Sequence, residues 1–381
     1  MKILFLTGSL VHGGAERHTI TLANRLAERG HECHAAYVKN DPSQLERYRG
    51  MASITCLHAD SYLDRAALGR LKSLLTTVNP THVLAANAHA LFYAWLGLRL
   101  AGSPAPLAVT YHTTLPKHAK EWLQMLYYRP LFWSADWLVY VCEAQARYWR
   151  RRQLFARRTG VIYNGVDLAH WTPRPAQPLR KLLGFGEADL VVGMAAVLRP
   201  EKNPVQLVEA VARARARGIP AAALFIGDGP MRPAVEARAA ALRVTEHVRI
   251  TGLQQDVRPL VAACDAIALC STSVETFSLA ALEAMALARP VVHADIGGAA
   301  EMVRDGYNGF LFPVGDTPAL VERLVALKDP VPRSRMGAQA RIAVEAHFGE
   351  STMIDRYESG LLELTTARSK RGNLRSAASA H

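Results

Sequence analysis

The sequence lacks long hydrophobic runs. None of its apolar stretches approaches the roughly 18 consecutive residues that a membrane-spanning helix requires. Residues 1–7 carry one charge and a short apolar run, and a glycine-rich loop follows them where a signal peptide would have a small-residue cleavage site. We therefore interpret this beginning as a first β-strand and not as a signal peptide.

Cysteine is scarce and scattered. The chain has five cysteines, an odd number, and no two of them have the CxxC spacing. This argues for reduced thiols in the cytoplasm and against a zinc site. We expect neither a metal nor a cofactor. The five are Cys33, Cys56, Cys142, Cys264 and Cys270.

Acidic residues are outnumbered by basic ones, which gives a formal net charge of +12. This balance favours polyanionic partners such as phosphates, anionic lipids or nucleic acid. No helix-turn-helix, zinc-finger or RNA-recognition signature accompanies the charge, so we do not expect nucleic acid binding. An arginine-rich base composition of the genome is an alternative source for part of the charge.

Apolar strand-like runs alternate with helix-like segments along the chain, which is typical of an α/β fold. Because a chain of 381 residues is longer than one hydrophobic core usually accommodates, we expect two domains. Pro173, Pro175 and Pro178 mark the best boundary between them. The predicted parts are an N-terminal domain (1–170), a linker (171–180), a C-terminal domain (181–348), a last helix (349–366) and a basic tail that we expect to be disordered (367–381).

The most informative stretch lies between two predicted strands in the second domain. Glu275 and Glu283 flank the predicted start of a helix, where the amides of Phe277, Ser278 and Leu279 have no partner within the helix. Such a terminus attracts anions. At about 1.5 Å per helical residue, the two glutamates are on the order of 12 Å apart, close to the span between the sugar rings of a nucleotide diphosphate-sugar.

This spacing suggests a hypothesis for the stretch. Glu275 would hold the donor sugar, the three amides would meet the diphosphate and Glu283 would hold the ribose. A capped helix with two surface glutamates is the alternative.

The first domain opens with a βαβ unit that lacks the nicotinamide-binding fingerprint. Its glycines do not fit GxGxxG, and no acidic residue ends its second strand. Gly13 and Gly14, at the start of the first helix, could still let a diphosphate approach the backbone. A plain tight turn is the alternative.

Two polar residues of the first domain follow predicted strands. Asn87 and His112 come just after strands at residues 82–86 and 107–111. Ligands of open α/β sheets bind at this edge. His112 is therefore a candidate acid, base or hydroxyl donor, although a lone histidine is more often incidental.

Two cations of the second domain stand between a predicted strand and a helix. Arg199 and Lys202 follow the strand at residues 190–197 and precede a helix that begins near Pro204. This place suits phosphate clamps, and solvated loop charges are the alternative.

Residues 117–158 are rich in both basic and aromatic side chains. Basic amphipathic segments with aromatics can lie on anionic membrane surfaces. In the alternative interpretation, the aromatics belong to the core and the basic residues form a solvated face. The basic residues are Lys117, Lys120, Arg129, Arg147, Arg150, Arg151, Arg152, Arg157 and Arg158.

Taken together, these pieces resemble the retaining nucleotide-sugar glycosyltransferases of family four, which have the GT-B fold. The resemblance covers nearly the whole chain, and its motifs occur in family order. Each motif alone is weak, but the ordered set is specific for the family. The motifs are residues 13–17 (GGAER), 161–167 (VIYNGVD), 199–202 (RPEK), 225–230 (FIGDGP), 275–283 (E-x7-E), 297–301 (GGAAE) and 308–312 (NGFLF).

The resemblance implies two facing Rossmann-like domains, an active site between them and a last helix that returns to the first domain. It implies that Arg199 and Lys202 bind the diphosphate, Glu275 the donor sugar and Glu283 the ribose. Further implied contacts are those of the Phe277, Ser278 and Leu279 amides with phosphate, of Leu253 with the base, of Gly13 and Gly14 with the diphosphate and of His112 with the transferred sugar.

The implied reaction is sugar transfer with retained anomeric configuration. The cations and helix amides would stabilise the departing diphosphate. The absence of a DxD pair suits a metal-independent enzyme, and no protein nucleophile is required. Two positions depart from the family pattern, since Ser278 stands where glycine is frequent and Tyr163 where proline is frequent.

The net charge and the family resemblance also lead to expectations about the donor and the acceptor. A UDP-sugar is the default donor, and the basic N-terminal half favours a glycolipid, lipopolysaccharide or polysaccharide acceptor of the cell envelope, shaped by loops such as 39–65 and 112–120. A GT-B nucleotide-sugar epimerase and a non-catalytic nucleotide-sugar-binding protein are the alternatives.

Overall fold

The computed structural model describes residues 1–113, 119–173, 177–187, 189–273 and 275–378, with the backbone alone at 119–121, 177–178 and 367–378. The chain divides into two compact units. The first unit comprises Met1–Tyr163 and the C-terminal segment from Thr352, and the second comprises Asn164–Ser351. Among the described residues, we find no helix with the length and hydropathy to cross a bilayer.

The first unit is built on seven strands, which are β1 (Lys2–Thr7), β2 (Glu32–Tyr37), β3 (Ser53–Cys56), β4 (His82–Ala86), β5 (Leu107–Tyr111), β6 (Trp137–Tyr140) and β7 (Arg158–Val161). They form one parallel sheet in the order β3-β2-β1-β4-β5-β6-β7. In its centre, Ile3 pairs with Cys33 on one side and with His82 on the other. Parallel strands covered on both faces appear in sequence as apolar runs, and for this reason most of them could be predicted.

Helices connect these strands, and local sequence signals set their ends. They are α1 (Gly14–Glu28), α2 (Arg65–Val78), α3 (Asn87–Leu100), α4 (Ala119–Ser134) and α5 (Glu143–Arg150). The side chain of Asp64 caps α2 by accepting a hydrogen bond from the Ala67 amide at 2.9 Å. Asn79, in the left-handed conformation, ends the same helix.

The second unit has a sheet of six strands, which are β8 (Leu190–Ala195), β9 (Ala221–Ile226), β10 (Val248–Ile250), β11 (Ala266–Leu269), β12 (Val291–Ala294) and β13 (Gly309–Phe312). The sheet is parallel, in the order β10-β9-β8-β11-β12-β13. The strand order reverses direction between β8 and β11. In open α/β sheets, the crevice beyond the carboxyl ends of such strands is where ligands bind.

The helices of the second unit are α6 (Gln177–Leu182), α7 (Pro204–Ala216), α8 (Arg232–Ala241), α9 (Arg258–Ala263), α10 (Leu279–Ala286), α11 (Ala299–Met302), α12 (Thr317–Ala326) and α13 (Pro330–His347). Short 3₁₀ helices occur at Leu45–Arg47, Pro200–Lys202 and Thr245–His247. The two Rossmann-like units confirm the predicted fold class.

A last helix, α14 (Glu350–Ala378), begins in the second unit and packs on the sheet of the first from Thr352 onward. The Tyr357 hydroxyl lies 3.1 Å from the Thr110 hydroxyl, and both are buried. A side chain at Gly360 would collide with the indole ring of Trp137, so glycine permits this close approach. The predicted return of the last helix to the first domain is therefore confirmed.

Three predicted segments of the chain differ from those in the structure. The second unit begins at Asn164, and not at the prolines, because Val166 pairs with Gly349 and the Asn164 side chain bonds to the Phe277 carbonyl. The tail from residue 367 was expected to be disordered, but α14 continues to Ala378, since this segment contains alanine, arginine and lysine, which favour helix. The loop predicted at 39–65 contains β3, a short and only half-buried edge strand.

Candidate active site

A recess in the second unit opens where its strand order reverses. It lies between the carboxyl ends of β8 and β11 and the start of α10. Its polar lining comes from Lys202, Ser271 and Ser278, and alanine, leucine, methionine and cysteine side chains complete it. The recess thus brings together two predicted site residues that are far apart in the chain.

Lys202 and Glu275 form an ion pair beside this recess. The Lys202 ammonium donates to the Glu275 carboxylate at 2.6 Å, and the Ser271 hydroxyl donates to the same carboxylate oxygen at 2.9 Å. The Glu275 side chain is only 10% exposed, whereas that of Lys202 is 29% exposed. Since an ammonium group has three donors, Lys202 can bind Glu275 and a further anion together.

The charge state of Glu275 follows from these neighbours. Burial raises the pKa of Glu275, but the Lys202 ammonium and then His293 outweigh this effect, so that the pKa lies below its ordinary value. The carboxylate is therefore ionised at neutral pH and accepts hydrogen bonds. Its ion pair stabilises the fold above the ordinary glutamate pKa, and this contribution is lost as the pH falls through the lowered folded-state pKa.

His293 was missed by sequence reasoning. It is fully buried on β12, and its Nδ1 lies 2.6 Å from the Ala294 carbonyl oxygen. Burial lowers the pKa of His293, although Glu275 opposes this effect. The available signal was a single histidine within the apolar strand β12, but a sequence does not show which carboxylate lies beside it.

The start of α10 presents free backbone donors to the recess. The Ser278 hydroxyl caps the helix by accepting from the Ala281 amide at 3.3 Å. In the part of the chain that the structure describes, the amides of Leu279 and Ala280 have no hydrogen-bond acceptor. These amides and the positive end of the helix dipole make this terminus suitable for an anion.

The loop before α10 is fixed from two sides. The Asn164 side chain donates to the Phe277 carbonyl at 2.9 Å, and the Phe277 ring packs edge-on against Phe348 at 5.4 Å. On the other side, the Gly298 amide donates to the Thr276 carbonyl at 2.7 Å. The backbone between Glu275 and α10 is therefore held in one conformation, which positions the carboxylate.

Gly297 has a direct effect on this loop. Its φ is +62°, and a side chain at this position would collide with the Glu275 carbonyl oxygen. We predict that Gly297→Ala lowers the free energy of unfolding by about 1–3 kcal/mol and slows turnover by about tenfold or more because Glu275 is displaced. Chemical denaturation and initial-rate assays measure the two effects.

Gly306→Ala is the matched control for this prediction. Gly306 also has a positive φ, +73°, but no atom lies within 4 Å of the position that a side chain would occupy. The control should therefore show the cost of backbone strain without the collision. Equal effects of the two substitutions would show that contact with Glu275 is not the reason for glycine at position 297.

Arg199 directly precedes the 3₁₀ helix Pro200–Lys202, which carries the recess residue Lys202. Two glycines, Gly227 and Gly229, fit against the carbonyl groups of Ala196 and Leu198, where any side chain would collide. The Leu198 amide also donates to the Asp228 carbonyl at 2.9 Å. This turn sets the path of the chain into Arg199, whose side chain is exposed and makes no hydrogen bond or ion pair among the described residues.

Glu283 and Leu253 are not among the residues that line the recess. Glu283 is buried on α10, and Leu253 is 69% exposed in the turn after β10. The estimate of 12 Å between the glutamates assumed one continuous helix, but α10 begins only at Leu279. About 1.5 Å per residue therefore applies to the last four residues alone, and the ribose and base contacts stay predictions.

The remaining candidates belong to the first unit. Gly13 precedes α1 and Gly14 is its first residue. His112 follows β5, and its amide donates to the Asn87 side chain at 2.9 Å, which brings together the two polar residues predicted at strand ends. Residues 114–118, which include part of the loop predicted to shape the acceptor site, lie outside the described residues.

A second histidine, His18, contacts His112 and was also missed by sequence reasoning. Their rings lie edge-to-face with centroids 4.8 Å apart, and His18 is 3% exposed on α1. Burial lowers the pKa of His18 to about 4, and burial followed by the charge of His18 lowers the pKa of His112 well below its ordinary value. Both rings are neutral at pH 7, which leaves His112 a neutral hydrogen-bonding group and not a cationic acid.

Two family models match the chain over most of its length. The one described as Glycosyltransferase Family 4 matches residues 12–170, and the one described as Glycosyl transferases group 1 matches residues 177–343. The two units with their sheet orders already define a Rossmann-like α/β protein with a ligand recess in the second unit. The chain belongs to the family-four glycosyltransferases, and its fold is GT-B.

Named relatives act on different molecules. The chain is 30% identical to the N-acetyl-alpha-D-glucosaminyl L-malate synthase of Bacillus anthracis, over 52% of this chain and 52% of that enzyme. It is 36% identical to the D-inositol 3-phosphate glycosyltransferase of Salinispora arenicola, over 54% of this chain and 49% of that enzyme. The chain thus spans about half the length of these curated relatives.

A solved structure covers nearly the whole fold. The crystal structure of Anabaena HepE in complex with UDP-glucose is 25% identical, with a TM-score of 0.84 over 95% of this chain and 100% of that one.

Proposed function

We propose that the protein is a retaining glycosyltransferase that transfers a sugar from a nucleotide diphosphate-sugar, with a UDP-sugar as the donor. The observation that carries this proposal is the recess of the second unit. There, the Lys202 ammonium and the start of α10 line one recess, and the buried Glu275 carboxylate pairs with that ammonium beside it. This set matches the two chemical needs of such a donor, which are acceptors for sugar hydroxyls and donors for a diphosphate.

In this proposal, the diphosphate binds at the start of α10. The amides of Phe277, Ser278 and Leu279 and the cations Arg199 and Lys202 stabilise the negative charge that develops as the diphosphate leaves. Preorganised donors of this kind act without reorganisation during the reaction. They would supply the stabilisation without a metal ion, in keeping with the lack of a DxD pair.

Glu275 is proposed to bind hydroxyl groups of the transferred sugar. Its ionised state supports this role, because a carboxylate accepts hydrogen bonds from hydroxyls and orients the sugar. A mechanism in which the acceptor attacks the face that the diphosphate leaves retains the anomeric configuration and needs no protein nucleophile. The proposed contacts of Gly13, Gly14 and His112 with the donor, of Glu283 with the ribose and of Leu253 with the base depend on family resemblance.

The acceptor is proposed to be a glycolipid, lipopolysaccharide or polysaccharide of the cell envelope. The basic character of the N-terminal half supports this choice, because envelope acceptors lie beside anionic lipids. The protein would then work in the cytoplasm, peripherally on the inner face of the plasma membrane.

Donor binding can be tested by thermal shift with UDP-, GDP- and ADP-sugars. We expect UDP-sugars to raise the melting temperature most, since a ligand at about 100 times its Kd stabilises a protein by about 2.7 kcal/mol. Free uridine is the control that lacks the diphosphate and should shift the melting temperature least. If no nucleotide stabilises the protein, the recess is not a donor site.

A further inference from the structure

Helix α4 of the first unit exposes an apolar face. Among its residues 122–134, every side chain classed as exposed is apolar or aromatic, whereas a solvent-facing helix face is usually polar. Leu123 is 65% and Leu126 59% exposed. The exposed set, which we call the α4 face, is Trp122, Leu123, Leu126, Tyr127, Pro130 and Trp133.

The opposite face of α4 packs into the core of the first unit. Met125, Tyr128, Leu131 and Phe132 are buried in the core of the first unit. Positions three and four apart lie on the same side of a helix, so the buried and exposed sets form two separate stripes. Apart from the contact of Trp122 with the buried Trp149 ring, at 6.1 Å between centroids, the α4 face points away from the core of its own unit. Monomeric proteins rarely expose contiguous apolar surface of this kind.

Neighbouring side chains extend and brace the α4 face. Phe155 is exposed and stacks on Trp133 with ring centroids 5.8 Å apart. The Trp133 indole donates to the Gln153 carbonyl at 2.8 Å. The Arg152 guanidinium lies 5.6 Å from the Trp122 ring and 3.7 Å from the Tyr148 ring. These contacts hold the large rings at the surface in fixed positions.

The segment of the chain that carries the α4 face is predominantly basic. Residues 122–158 contain seven arginines and two acidic residues, Asp136 and Glu143, which gives this segment a net charge of +5. Asp136 forms an ion pair with Arg157 at 3.0 Å. Arg147, Arg150 and Arg151 are exposed. A partner for this surface therefore has to offer both an apolar interior and negative charge.

An anionic lipid bilayer meets both conditions. Tryptophan and tyrosine favour the interface between headgroups and acyl chains, because one end of each ring system is apolar and the other is polar. Leucine side chains enter the acyl region, and arginines are attracted to an anionic surface. Nucleic acid would leave the leucines without a partner, and a second copy of this chain would oppose one arginine cluster to another.

We propose that the α4 face is a docking surface for anionic membranes, with the aromatic and leucine side chains in the interface and Arg147, Arg150 and Arg151 at the headgroups. This inference narrows the membrane-proximal part of the proposed function to one helix face. It implies that the acceptor is lipid-linked, and that implication alone rests on the proposed transferase activity.

Vesicle sedimentation of the full chain tests the proposal. We expect binding to phosphatidylcholine vesicles that contain about one third phosphatidylglycerol, and little binding to pure phosphatidylcholine. Leu123→Glu with Leu126→Glu should reduce the bound fraction at least tenfold. Arg150→Gln with Arg151→Gln should weaken binding to anionic vesicles and reduce its dependence on salt.

Leu182→Glu is the matched control, because Leu182 is an exposed leucine of the second unit, 83% accessible. It should bind vesicles like the unmodified protein. Equal binding of the leucine pair variant and the unmodified protein would overturn the proposal, as would binding that is indifferent to phosphatidylglycerol. Dimerisation that the pair variant abolishes, without any vesicle binding, would instead identify a protein interface and also overturn it.

The thermal-shift assay with UDP-sugars distinguishes a failure of the membrane-docking proposal from a failure of the proposed transferase function. Thermal stabilisation by a UDP-sugar does not involve α4 and should be unchanged in the leucine pair variant. Loss of vesicle binding with intact donor binding would therefore confirm the docking surface, whereas absent donor binding in the unmodified protein would contradict only the transferase.

Discussion

Glu275→Gln is expected to reduce kcat by about 10²–10³-fold, while the Kd for the free nucleotide changes by no more than about threefold. The substitution preserves the volume of the side chain but removes the charge that Lys202 and Ser271 hold in place. A neutral amide orients the donor sugar poorly, whereas the start of α10 still receives the diphosphate. Initial rates and nucleotide titration calorimetry measure the two quantities separately.

Glu322→Gln is the control for this substitution. Glu322 is an exposed glutamate of the same unit that pairs with Arg217 at 2.7 Å, so the chemical change is identical but remote from the recess. We expect unchanged turnover. If Glu275→Gln also turned over at the normal rate, Glu275 would have no part in the reaction.

Lys202→Met is expected to have the second large effect. It removes a cation from the proposed leaving-group site, which should lower kcat by about 10²–10³-fold. It also leaves the buried Glu275 carboxylate without its ion-pair partner. The pKa of Glu275 should then rise, because burial raises it and the Lys202 ammonium no longer lowers it. The acid limb of the pH–rate profile should therefore move to higher pH, which a purely structural defect would not cause.

The rise in the pKa of Glu275 should also reverse the way in which the stability of this variant depends on pH. In the unmodified protein, the lowered pKa of Glu275 stabilises the fold above the ordinary glutamate pKa. In Lys202→Met, a raised pKa would make the ionised group unfavourable, so the deficit in unfolding free energy should shrink as the pH falls. Lys181→Met, which removes an exposed cation of α6, should change neither profile. A deficit that does not change with pH would contradict the proposed coupling.

The sequence allowed prediction of most strands and of several polar residues that lie at or beside the recess. β4, β5 and β9 were foreseen because buried parallel strands appear as apolar runs between helices. The edge strand β3 was not, since it is only half-buried and half of its residues are polar. Lys202 and Glu275 were each foreseen as donor-binding residues, because cations and carboxylates near strand and helix ends suit phosphates and sugar hydroxyls.

The interactions across the site could not be predicted in this way. The ion pair of Lys202 with Glu275 depends on how strands β8 and β11 lie side by side, and no local pattern shows that adjacency. His293 reaches its position near Glu275 for the same reason, and His18 meets His112 because α1 packs on the sheet. The exposed stripe of α4 is a related case, since aromatic content in residues 117–158 did not separate core rings from surface rings.

The most direct test is a crystal structure of the full chain with the UDP-sugar that stabilises it most. The proposal predicts diphosphate oxygens within hydrogen-bonding distance of the Leu279 amide and of the Lys202 ammonium, and a sugar hydroxyl bonded to the Glu275 carboxylate. A diphosphate bound elsewhere on the second unit, or a donor sugar without contact to Glu275, would contradict it.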